Sequence, residues 1–105
     1  MNKPPTVSII EDFQNGQQVN EDFVDFSWVG EDDDGYVLKF KYILSSNINY
    51  FQETSATSKS FTDLSSGDYF FSVLAMDNQG EWSQPSEVSF SVYKEYFLNL
   101  QPRTY

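Results

Sequence analysis

Residues 69–76 restrict the fold more than any other stretch: Tyr69, Phe70, Phe71, Ser72, Val73, Leu74, Ala75 and Met76 follow one another with no charge and no breaker. In a strand, successive side chains face opposite ways, so Tyr69, Phe71, Val73 and Ala75 share one face and their even-numbered neighbours share the other. Leu64, Ser65, Ser66, Gly67 and Asp68 read as the turn before it, and Asp77, Asn78, Gln79 and Gly80 as the turn after it. Residues 88–92 alternate again, with Val88, Phe90 and Val92 on one face. A strong strand between two turns, followed by a second strand, commits this half of the chain to an antiparallel sheet.

The first half repeats the pattern. Residues 6–10 alternate as a first strand, Asn15 and Gly16 mark a turn, and residues 24–28 place Val24, Phe26 and Trp28 on one face. After an acidic turn, residues 36–44 form the third strand, expected to hide Leu38, Phe40, Tyr42 and Leu44 and to expose Lys39 and Lys41. Residues 48–53 form a short strand, and residues 59–62 lead back towards Leu64, with Phe61 as an anchor. Short strands about ten residues apart, with no helical period, predict an all-β sandwich. Residues 1–5, with Pro4 and Pro5, read as a linker, residues 6–93 as one domain, and residues 94–105 as an extension. Met1 so close to a proline pair reads as an added start on a piece of a longer protein, with any targeting signal expected elsewhere.

Composition narrows the function. The chain has 105 residues, enough for one core, and ten Phe, seven Tyr and two Trp to fill it. With no Cys and no His, it lacks a thiol nucleophile, the usual general base and the commonest metal ligands. A net charge of −10 opposes binding to nucleic acid or anionic membranes. No apolar run approaches the ~20 residues that span a bilayer as a helix. Ser and Thr have no activating base beside them, so no catalytic residue is assigned and an enzyme is not expected.

Phe26, Ser27, Trp28, Gly30, Asp32, Asp34, Gly35, Phe40 and Tyr42 resemble the second and third strands of a bacterial fibronectin type III-like, immunoglobulin-like domain. Leu64, Gly67, Tyr69, Phe71, Val73, Ala75, Asp77, Gly80, Ser83, Pro85, Phe90 and Val92 resemble that family's closing half. The pattern also resembles the triple-tyrosine domains of bacterial sensor ectodomains, through Phe40, Tyr42, Gly67, Tyr69 and Gly80 to Ser83, although the Trp usual near Tyr50 and Phe51 is missing. The resemblance implies a seven-stranded antiparallel sandwich with an apolar C-terminal extension, on the extracytoplasmic side of a bacterium. It also implies that Tyr69 closes a corner by bonding its hydroxyl to upstream backbone.

In such a sandwich the third, sixth and seventh strands share a sheet. Its outer face then collects Ile43, Phe70, Leu74, Met76 and Tyr93, where a solvated face is mostly polar. The tail adds Tyr96, Phe97, Leu98 and Leu100, which cover that stripe or join it against a neighbouring domain or a second copy. The expected function is a non-catalytic interaction or spacer module of a larger exported protein. Two alternatives stand beside it: a carbohydrate-binding module using Tyr50, Phe51 and Trp82 as an aromatic platform, and a ligand-sensing ectodomain.

Asp32, Asp33 and Asp34 are hard oxygen ligands in a tight turn, a pattern that suits calcium with help from Glu21, Asp22 or Asp25. The helical calcium-hand spacing fails here, because Gly30 and Lys41 fall where carboxylates belong. The plainer reading is a solvated turn with Gly35 at a positive backbone angle. No cofactor other than such a calcium ion is implied.

Overall fold

A computed structural model describes residues 2–10, 16–46 and 49–93. Eight strands run in order: β1 (Thr6–Ile10), β2 (Gln17–Val19), β3 (Val24–Glu31), β4 (Val37–Ser45), β5 (Asn49–Thr54), β6 (Ser58–Phe61), β7 (Gly67–Asp77) and β8 (Ser86–Val92). They form two sheets, β1-β3-β6 and β2-β8-β7-β4-β5. Every pairing is antiparallel except β2 with β8, which is parallel. The described residues contain no helix. The tail residues Tyr96, Phe97, Leu98 and Leu100 lie outside the described residues.

The core is the set of side chains that alternation turns inward. Phe71, Val73 and Ala75 of β7 are fully buried, as are Phe26 and Trp28 of β3 to within 2 %. Phe26 lies flat on Phe71, centroids 3.9 Å apart, and Trp28, Tyr42 and Phe61 close around the same ring. Each such side chain contributes roughly 1.5–3 kcal/mol on burial, so the aromatic cluster joins the two sheets without a disulfide.

Three expectations need correction. Among the described residues there are eight strands rather than seven, because β2 docks on β8 with only three residues, two of them Gln. A segment that short and polar has no readable period; its anchors are Gly16, whose N–H donates to the Ser89 carbonyl at 2.6 Å, and the buried Val19. Leu38 was expected inside but is 49 % exposed, and Val37 packs on the core instead. The pairing of β4 with β7 slips between Val37 and Lys39, and one such slip reverses the facing of every residue before it. Residues 2–5 do not stand clear as a linker: Asn2 bonds Asp77, Lys3 bonds Asp34, and Pro5 is buried.

Candidate functional site

Two surfaces carry chemistry that the core does not use. The first is the outer face of the five-stranded sheet. Register sets its rows: Lys39 beside Met76, Lys41 between Leu74 and Glu53, Ile43 between Ser72 and Phe51, and Ser45 beside Phe70. Phe51 is 64 % exposed and Phe70 40 %, while Ile43, Leu74 and Met76 are half-buried among their neighbours. Ser72 is buried even though it faces outward, because Ile43 and Glu87 flank it in the adjoining strands. Tyr93, one residue past β8, is exposed, and its N–H donates to the Val19 carbonyl.

Polar groups border this apolar row. Lys39 Nζ donates to Glu53 Oε1 at 2.6 Å, and that bond, with the nearby lysine charges, holds the Glu53 carboxyl below its ordinary range. Trp82 pairs with Met76 through an isolated bridge, and Lys41 Nζ sits 4.7 Å from the Trp82 ring centroid. A cation over an indole face is attracted by the ring's negative quadrupole and occupies that face.

Tyr50, Phe51 and Trp82 are therefore not one platform. Tyr50 and Phe51 are consecutive in β5, so they point to opposite sides. Tyr50 turns towards Tyr42 and Phe61, with centroids 6.3 and 6.2 Å away, and its hydroxyl donates to Gln52. Burial first, and then Tyr50, push the Tyr42 phenol above its usual pKa. Phe51 joins the outer face with Ile43, a role that sequence reasoning missed because the facing of β5 depends on its register with β4.

The second surface is one end of the sandwich, where three segments meet: the N-terminal residues, the β3–β4 turn and the β7–β8 turn. Asp77 organises it. Its Oδ1 accepts the N–H groups of Gln79 and Glu81, both at 2.9 Å, and its Oδ2 accepts the Asn2 amide at 2.8 Å. Burial pushes this carboxyl up, but the bonds from Asn2 and from the backbone of Glu81, Gln79 and Gly80 outweigh it and hold the pKa below the usual value. Next to it, Asn78 Oδ1 accepts the Tyr36 N–H, and the Asn78 N–H donates to the Tyr36 carbonyl. The signal in the sequence was Asp77 three residues before Gly80, a pattern in which a carboxylate folds its own turn.

Asp32 lies in the same region. Asp32 is half-buried, and both of its carboxylate oxygens are shielded from solvent with no donor among the described residues, as is the Asn2 side-chain amide oxygen. Burial, followed by the carboxylates of Asp34, Asp77 and Asp33, raises the Asp32 pKa. Gly35 does not take a positive φ; those glycines are Gly16, Gly67 and Gly80. Gly35 is needed for space instead, since a Cβ there would collide with Asn78 Oδ1 and stand 2.8 Å from Asp32 Oδ2. Asp33 points away to Lys3 Nζ at 3.3 Å. Glu21, Asp22 and Asp25 flank the opposite end of β3, roughly 20 Å off at ~3.3 Å per residue, so they cannot assist.

The Tyr69 hydroxyl donates to the Ser65 carbonyl at 2.8 Å, tying β7 to the loop that feeds it. The best-formed grooves on the described surface are shallow, and each is lined by at most one carboxylate.

No sequence-family profile matches the chain, and no curated protein matches it. Solved structures do. The fibronectin(III)-like modules of Clostridium thermocellum CbhA are similar over 97 % of this chain and 52 % of theirs, at 19 % identity and a TM-score of 0.67. A structure of carbohydrate-binding modules from the β-sandwich superfamily is similar over 90 % of this chain and 36 % of that one, at 17 % identity and a TM-score of 0.71. The PKD1 domain of Vibrio anguillarum Epp is similar over 90 % of this chain and all of that one, at 16 % identity and a TM-score of 0.65. This chain thus spans about half the length of the first and about a third of the second. The fold is a fibronectin type III-like β-sandwich.

Proposed function

We propose that this chain is a non-catalytic interaction module of a larger exported bacterial protein, and that the outer face of its five-stranded sheet packs against a neighbouring domain of that protein. The observation that carries this is the apolar patch of exposed Phe51 and Phe70 with half-buried Ile43 and Leu74, on a sheet face that water normally keeps polar. A neighbouring domain is the favoured occupant because two of the similar structures are chains two to three times as long. A similarity to the extracellular domain of a B. thetaiotaomicron protein, over 90 % of this chain at 15 % identity and a TM-score of 0.57, supports an extracytoplasmic location. The lack of His supports a role without catalysis, as do the best-formed grooves among the described residues, none of which pairs two carboxylates.

The test is small-angle scattering on the parent protein and on its Phe51→Ser/Phe70→Ser variant. A docked face predicts a larger radius of gyration in the variant while the module's own unfolding midpoint stays put. Identical scattering curves would remove the docking proposal. Concentration-dependent dimerisation of the isolated chain, abolished by the same pair of changes, would replace the neighbour with a second copy.

A further inference from the structure

At the end of β7 away from Asp77, two of the grooves adjoin. One, of about 450 Å³, runs along Ser45, Gly67 and Asp68; the other, of about 400 Å³, runs along Leu44, Tyr50 and Asp63; Ser46, Ser66 and Tyr69 line both. Each is within the roughly 300–1,000 Å³ of small-molecule sites. Their walls are fixed within the domain. Tyr69 lies nearly parallel to Phe90, 11° apart with centroids at 5.3 Å, and its hydroxyl donates to the Ser65 carbonyl. Tyr50 packs against Tyr42 and Phe61 and is still 46 % exposed. Asp68 Oδ1 accepts the Ser91 hydroxyl at 2.8 Å, which steadies that carboxylate, and the Leu64 N–H donates to the Asp22 carbonyl, which anchors the loop. Asp63 takes φ 58°, a left-handed backbone that glycine adopts with less strain; among the described residues it is the non-glycine residue that does so. An exposed carboxylate thus stands where the backbone alone favours glycine, and an outlier of that kind points to a role for its side chain.

We propose that these adjoining grooves bind a neutral oligosaccharide, with the rings of Tyr50 and Tyr69 against sugar faces and the carboxylates of Asp63 and Asp68 accepting sugar hydroxyls. The lining sets the ligand's chemistry. The tyrosine rings offer apolar faces, the serine hydroxyls both donate and accept, and the carboxylates accept. A sugar has the matching parts: an apolar ring face, a rim of hydroxyl groups and no charge. Neither groove is lined by Lys or Arg, and the chain carries a net charge of −10, so an anionic ligand is repelled. Shallow walls suit a ligand that lies along the surface rather than a peptide side chain that must be enclosed. Two grooves sharing Tyr69 call for at least two linked sugars, and one carboxylate in each gives binding without hydrolysis. The site goes beyond the docking face and does not depend on it; Phe70 borders both, so it is left out of the test.

The test is an NMR titration of the isotope-labelled chain with cellotetraose, xylotetraose and mannotetraose, and with tetragalacturonic acid as the anionic counterpart. One or more of the neutral sugars is expected to shift the amides of Ser46, Asp63 and Ser66 saturably, and the acid is not. Asp63→Asn keeps the shape and removes the charge. It is expected to weaken binding roughly tenfold, as the loss of one charge-assisted hydrogen bond does, with the melting midpoint unchanged. Tyr50→Ala removes a stacking ring and is expected to abolish saturation, whereas Phe51→Ser, on the outer face, keeps wild-type affinity. No shift with any of the neutral sugars overturns the proposal, and so does equal binding of the acid. Shifts centred on Phe51 or Trp82 instead would place the sugar elsewhere and overturn this site. Should Tyr50→Ala fail to fold, Asp63→Asn decides: wild-type affinity in that variant overturns the proposal.

Discussion

The two faces of β7 are made from the same eleven residues and do opposite work. On one face, Phe71, Val73 and Ala75 have no exposure at all; on the other, Phe70, Leu74 and Met76 are apolar yet open or only half covered. The inner row is satisfied within the domain, because Phe26, Trp28 and Tyr42 of facing and adjoining strands close on Phe71. Among the described residues, the outer row is flanked by its sheet neighbours and, at Met76, by Trp82. Equal hydrophobicity on both sides of one strand therefore builds the core on one face and leaves the other open to the docking proposed above.

The largest effect that tests this contrast is on the inner face. Phe71→Ala empties the centre of the aromatic cluster and should cost about 3–5 kcal/mol in urea unfolding, against less than about 0.5 kcal/mol for Phe70→Ala in the isolated module. Similar costs for the two would erase the distinction between the faces. Next is Tyr69→Phe, which removes only the bond to the Ser65 carbonyl. A loss of about 0.5–1.5 kcal/mol is expected, and no loss would mean that water replaces the bond without cost.

Phe51→Ser should change the stability of the isolated module still less, because its side chain is already 64 % exposed. A marked destabilisation would show that the outer row is part of the fold after all. The smallest effect concerns the polar border. The Glu53 pKa is lowered in the folded state, so its contribution is present above the unfolded carboxylate value and fades as pH falls through the folded one. Melting curves of wild type and Glu53→Gln should differ slightly near neutrality and converge in acid. The difference should also shrink in high salt, since the pair is solvent-accessible.

The facing of β7, β3 and β8 was legible in the sequence because period-two alternation of large apolar residues can be buried in only one way. The start of β4 was not. Val37 and Leu38 are both apolar, and only the slip against β7 decides which of them faces in. β2 was invisible because its place depends on an edge of β8 that lies some seventy residues further on. Part of the outer face was legible as Ile43, Phe70, Leu74 and Met76. Phe51 was not, since its side of the sheet is fixed by pairing with Ile43. The acidic turn was visible as a cluster, but its partners were not: Asn2 reaches Asp77 across 75 positions of sequence.

Local pattern by itself determined that this chain is an all-β sandwich with an aromatic core and an acidic surface, because alternation and composition act over a few neighbouring residues. Tertiary structure decided which apolar residues remain on the outer face and which oxygens are buried without donors. Those outcomes depend on register and on segments distant in sequence meeting in space, and neither is set by any one stretch of chain.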